Sequence, residues 1–201
     1  MKKITILLIA LFLCVLMPMT AQAVQLTEDN PGGGRTEVIA SVIPNSGDVT
    51  YIITVPDVVD FGTLTPPASD EDSYRDVTYT VVAEEVEGLD PDSQQIVVYV
   101  KDQNATGNER NFYIVNKSNS NMAFSYNIYR AVGEENVNEA SRVNNGDYFT
   151  AGYYLCSFTE GGQTLEGTLR INQRDLRGMN MADIIGDYSG YMVFYSIIES
   201  R

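Results

Sequence analysis

The sequence predicts an all-β fold, an Ig-like antiparallel β-sandwich. Short alternating runs rich in β-branched and aromatic residues point there, as do the turn residues that punctuate them at short intervals. Helical periodicity is almost absent. Asn136–Arg142 and Met181–Ile185 can each make one turn, and neither can build a layer.

The chain opens on a segment of another kind. Lys2 and Lys3 precede an apolar run from Ile4 to Leu16, followed by Pro18 and Ala21-Gln22-Ala23. A basic start, an apolar middle and small residues just before a cut read as a secretory signal peptide over residues 1–23, cleaved after Ala23. A membrane span would need about 20 unbroken apolar residues. Cys14 leaves with the signal, and the bulky Leu11-Phe12-Leu13 before it does not suit lipid attachment. Residues 24–35 are polar and end in Pro31-Gly32-Gly33-Gly34 and Arg35, which reads as a short flexible arm.

From Thr36 to Arg201 no convincing linker appears, so a single β-sandwich domain is expected over 36–201. Val38, Ile39, Val42 and Ile43 form its first β-like segment, either an ordinary first strand or an arm able to add to a neighbour's sheet edge. Tyr51, Ile53 and Val55 alternate with Thr50, Ile52 and Thr54. Val77, Tyr79 and Val81 repeat the device against Thr78, Thr80 and Val82. Further runs are Ile96–Val100, Phe112–Val115, Phe124–Tyr129, Tyr153–Phe158, Leu165–Ile171 and Tyr191–Ile198. Pro44-Asn45-Ser46-Gly47-Asp48, Asp90-Pro91-Asp92, Gly161-Gly162 and Gly186-Asp187 separate them. The loop Thr65–Tyr74, with Pro66 and Pro67, is the best candidate boundary and is more simply a surface loop. In the last run Tyr191, Val193, Tyr195 and Ile197 share one face, and Met192, Phe194 and Ile198 the other. A strand with no polar face should be central in its sheet or covered by a partner.

Composition excludes much chemistry. There is no histidine, so Ser-His-Asp and Cys-His catalysis and ordinary zinc sites are out of reach. Cys156 is the one cysteine left after signal cleavage, which leaves no intramolecular disulfide. Its alternating strand context predicts a buried, inert thiol. A net charge of −14, made two units more acidic by loss of Lys2 and Lys3, argues against nucleic acid or anionic membrane as partner. Gly186-Asp187-Tyr188-Ser189-Gly190 lacks the spacing of a nucleophile elbow.

Acids are abundant enough to supply pairs such as Asp57 with Asp60 or Asp183 with Asp187, but nothing in the spacing couples them for glycoside hydrolysis. Calcium is a better use for acids. Asp70, Glu71 and Asp72 in one loop, with Asp90 and Asp92 in another, offer hard oxygen ligands, although neither loop matches an EF-hand. Solvated loops are the plainer reading. Lys101 and Lys117 are the lysines available for an isopeptide cross-link, and exposure at a strand end is the simpler role for both. Sugar binding has no tryptophan to use, but 13 tyrosines, among them Tyr148, Tyr153, Tyr154 and Tyr188, leave a Tyr-rich binding face open.

Two short segments together carry a resemblance. Thr54-Val55-Pro56 with Asp60-Phe61-Gly62-Thr63-Leu64, and Gly186-Asp187-Tyr188-Ser189-Gly190 running on to Phe194, are similar to motifs of secreted bacterial pilin-like and adhesin-like β-sandwich surface proteins. They cover about a tenth of the chain. The tryptophan motif of WxL cell-wall domains is missing, as is a Leu-Pro-x-Thr-Gly sorting signal. The resemblance implies a non-enzymatic, exported structural or adhesive subunit at the cell surface, fimbrial in character. Its partners would be other surface subunits or itself, met through β-strand contacts, with no nucleic acid and no membrane span. The alternative is a secreted glycan- or calcium-binding module.

Overall fold

The computed structural model describes residues 49–105 and 111–201. The signal and arm expected over residues 1–35, and the segment Val38, Ile39, Val42 and Ile43, lie outside the described residues.

Among the described residues ten strands form two antiparallel sheets, as the all-β reading expects. They are β1 (Thr50–Thr54), β2 (Tyr74–Glu87), β3 (Gln94–Asp102), β4 (Phe112–Asn116), β5 (Ala123–Tyr129), β6 (Tyr148–Phe149), β7 (Gly152–Phe158), β8 (Thr164–Asn172), β9 (Tyr188–Ser189) and β10 (Met192–Ser200). One sheet has six strands in the order β1-β2-β8-β5-β4-β9, the other four in the order β10-β3-β7-β6. The predicted alternation of Val77, Tyr79 and Val81 against Thr78 and Thr80 is seen in β2, where Tyr79 and Val81 are buried and both threonines exposed. This is the period of two that a half-buried strand imposes. The short β6 and β9 escaped the sequence reading because two residues carry no period.

Between the sheets lies a core that includes Val81, Val98, Val100, Phe112, Tyr126, Ile128, Leu155, Leu169 and Phe194. Three buried polar side chains are each satisfied, as burial demands. Thr168 Oγ1 donates to the Ala131 carbonyl at 2.7 Å. Asn116 Oδ1 accepts the Ser118 and Asn119 amides, closing the turn after β4. Asp102 accepts the Asn104 and Tyr113 amides.

One local expectation needs correction. Asn136–Arg142 makes hydrogen-bonded turns and no helix, because Asn136, Asn138 and Ser141 spend their side chains on nearby backbone groups. Met181–Ile184 makes the one turn expected of it, α1, capped by Asn180 Oδ1 on the Ala182 amide. The last strand begins at Met192, leaving Tyr191 just before it, and among the described residues it lies at the edge of its sheet, which leaves cover by a partner as the open half of the expectation.

Candidate strand-accepting edge and apolar cleft

β10 pairs with β3 over nine residues, from Met192 opposite Asp102 to Ser200 opposite Gln94. Among the described residues its other side has no strand neighbour. Backbone groups alternate along an antiparallel strand. Tyr191 accepts the Gln103 amide and Arg201 donates to Ser93, so odd-numbered residues turn their backbone toward β3. Met192, Phe194, Ser196, Ile198 and Ser200 therefore turn theirs outward. The Tyr51 hydroxyl of β1 meets this open side, donating to the Ser196 carbonyl at 3.2 Å, with Ser196 Oγ also at 3.2 Å. Edges of this length without proline or lysine are templates for a further strand.

A cleft of about 750 Å³ adjoins the N-terminal half of β10. Its walls come from the strap 57–66, α1 and residues 186–192, with Phe124, Tyr126, Leu169 and Phe194 among its lining. Val58 at 66% exposure and Ile185 at 70% offer apolar side chains to solvent beside it. The strap is pinned at its middle and near its end. Arg75 Nε donates to the Phe61 carbonyl at 2.9 Å, and the Thr65 amide donates to Gln173 Oε1 at 3.1 Å. Met192 and Phe194 line the cleft and carry outward backbone groups, so edge and cleft form one continuous surface.

Two comparisons with known proteins find nothing: no protein-family model matches the chain, and no curated protein does. Among solved structures the chain is similar to one from a chaperone–tip adhesin complex of CFA/I fimbriae. The identity is 14% and the TM-score 0.43, over 76% of this chain and 43% of that one. This chain thus spans less than half the length of its match. Likeness at that level assigns neither family nor function.

The residues singled out by sequence fall in four places. Val193, Tyr195 and Ile197 lie in β10 on the face opposite the cleft, Ile197 at 39% exposure and Tyr195 under the Lys101 ammonium at 4.7 Å. Asp57, Asp60 and Asp187 stand exposed at the cleft, and Lys117 is exposed there too. Neither Lys101 nor Lys117 is buried, as a cross-linking lysine would have to be.

Three of the five calcium candidates are engaged by protein groups. Asp70 pairs with Arg177 at 2.6 Å, and Asp72 pairs with Arg174 at 2.6 Å. Asp72 also accepts from Asn172 and Tyr74, and these bonds, Asn172 first, then Tyr74 with the charge of Arg174, hold its carboxyl below the usual range. Asp90 closes its own loop on Ser93 Oγ and the Asp92 amide, which lowers its carboxyl in the same sense. The two loops flank β2, whose 14 residues correspond to roughly 45 Å of extended chain. Glu71 and Asp92 are exposed. Among the described residues no three acids gather as a metal site would need. No described helix is long and apolar enough to cross a membrane.

Proposed function

We propose that this chain is an exported, non-enzymatic surface subunit of structural or adhesive type, with residues 36–201 as its single domain. It assembles by accepting a β-strand along the open side of β10. The observation that supports this reading is the nine-residue edge opening onto the apolar cleft through Met192 and Phe194. The segment Val38, Ile39, Val42 and Ile43 of another copy supplies the strand, its backbone on the edge and one alternate pair, Val38 with Val42 or Ile39 with Ile43, toward the cleft. The leader over residues 1–23 supports export.

A test uses size-exclusion chromatography and electron microscopy of the purified protein, with binding of a synthetic peptide spanning residues 36–43. Oligomers and peptide binding are expected. Ser196→Pro should abolish both while sparing the β3 ladder, because the Ser196 N–H faces away from β3. Tyr51→Phe should strengthen both by uncovering the Ser196 carbonyl. A strict monomer that ignores the peptide would sink the reading.

A further inference from the structure

The outer face of the four-stranded sheet holds a second concavity, of about 300 Å³, where Tyr99 of β3, Tyr154 of β7 and Phe149 of β6 meet. Tyr99 is edge-on to both neighbours, at 5.7 Å from the Phe149 centroid and 6.4 Å from that of Tyr154. Phe149 remains 50% exposed and Tyr154 36%. A register shift in the β3–β7 pairing sets Val98 opposite Cys156 but Tyr99 opposite Tyr154. Such a bulge re-aims side chains. Here it buries Leu155 and Cys156 on the core side and leaves Tyr154 facing out beside Tyr99.

Arg130 and Asp147 complete the lining. Every other described arginine has a polar partner. Arg142, Arg170, Arg174 and Arg177 pair with acids, and Arg75 and Arg201 donate to carbonyls. The Arg130 guanidinium instead lies over the Tyr154 ring at 5.4 Å, with no hydrogen bond to another described residue. Among the described residues its planar fork of donors is thus left open, and a guanidinium held against an aromatic ring is pre-oriented. The segment that presents Asp147 is fixed as well. Asn144 bonds to Asn127 Oδ1 at 2.9 Å and accepts the Ile128 amide, while Val143 is buried. Past the pocket, the β6–β7 turn requires Gly152. Its φ is +116°, and a Cβ there would collide with the Val100 carbonyl.

The geometry points to a binding site for a neutral pyranose unit of a glycan. The exposed Phe149 ring stacks on the apolar face of the sugar, Arg130 donates to one hydroxyl, and Asp147 accepts from another. A hydroxyl both gives and takes a hydrogen bond, so one cation and one acid serve neighbouring hydroxyls together. Asp147 within the site and the net charge of −14 disfavour an anionic sugar. The site stands apart from the open side of β10 and does not depend on strand assembly.

Amide NMR titration of the labelled protein with methyl β-galactoside, N-acetylglucosamine, methyl glucoside and sodium glucuronate tests it. At least one neutral sugar should give saturable shifts centred on Tyr99, Asp147, Phe149 and Tyr154. Phe149→Ala and Arg130→Ala should each weaken it roughly tenfold, as expected for loss of the platform or of a charge-assisted bond. Asp147→Asn, on an exposed side chain, carries the same test should an Arg130 variant misfold. Ser196→Pro should leave sugar binding unchanged, which separates this site from the assembly edge. No saturable shift with a neutral sugar, shifts centred elsewhere, or tighter binding of glucuronate would overturn the assignment.

Discussion

The Tyr79 hydroxyl donates to the Tyr129 carbonyl at 3.1 Å, spanning from β2 to β5 across the intervening β8. It passes over Gly167, the β8 residue paired with Tyr79, where any Cβ would collide with the tyrosine ring and with the Tyr129 carbonyl. Two strands that are not neighbours are thereby tied through one buried phenol. Tyr79→Phe should cost about 1 kcal/mol, the net worth of a neutral hydrogen bond. Gly167→Ala should cost more, because ring and backbone must both shift to admit a methyl group. Urea denaturation of the two variants measures the difference, and an ordering of Tyr79→Phe above Gly167→Ala would contradict it.

Arg170 on β8 makes a bidentate ion pair on the outside of the six-stranded sheet. Nε and Nη2 each bond one Asp76 oxygen at 2.7 Å, Nη1 reaches the Val137 carbonyl, and the guanidinium lies 4.5 Å from the Tyr74 ring. Lysine cannot reproduce a planar fork. Arg170→Lys should therefore destabilise the fold almost as much as Arg170→Ala. Asp76 is 37% exposed on its side chain, so solvent screening limits the loss to about 1 kcal/mol. Melting curves of both variants in low and high salt test this, with only a small salt effect expected from so bidentate a pair.

How far the sequence revealed this fold depends on local period. β2, β3, β5, β7 and β8 were legible because alternation or unbroken apolar runs persist over five or more residues. β6 and β9 were not, and the two-residue pairing of Phe149 with Gly152 exists only because Gly152 fits against β3. The sequence leaves Tyr191–Ile198 either central or covered by a partner for a related reason. Apolar faces signal burial, but neither face says which backbone edge finds a partner, and β10 buries Phe194 while, among the described residues, its outer edge meets no strand. Arg130 carried no sequence signal at all. Its significance comes from the pairing of the other six described arginines, and pairing is a property of three dimensions.

Cys156 was expected to be an inert buried thiol, and it is buried in the core. Burial pushes its pKa up to about 12, against a small opposing pull from the Arg130 charge. The thiolate is the reactive form. Native protein at pH 8 should therefore fail to react with a thiol reagent such as dithionitrobenzoate, and denatured protein should react fully. Rapid labelling of the native state would show that the β7 bulge opens.

Asp102 gives the fold a pH dependence of unusual sign for a carboxylate. Burial raises its pKa above the ordinary 3.8, and the amides of Asn104 and Tyr113 only partly offset this. The folded state thus holds the Asp102 proton to higher pH than the unfolded chain does. Its contribution to stability is full below pH 3.8 and is lost as pH rises through the folded-state pKa. Asp72 and Asp90, with lowered pKa values, act in the opposite sense, their stabilisation disappearing as pH falls below 3.8. Comparison with Asp102→Asn isolates the first effect, because the other two titrate alike in both proteins. The stability of the native protein relative to Asp102→Asn should be greatest at acid pH and decline from there toward neutrality. Urea denaturation at several pH values provides the measurement. A difference that stays flat, or grows with rising pH, would mean that the two backbone amides outweigh burial at Asp102.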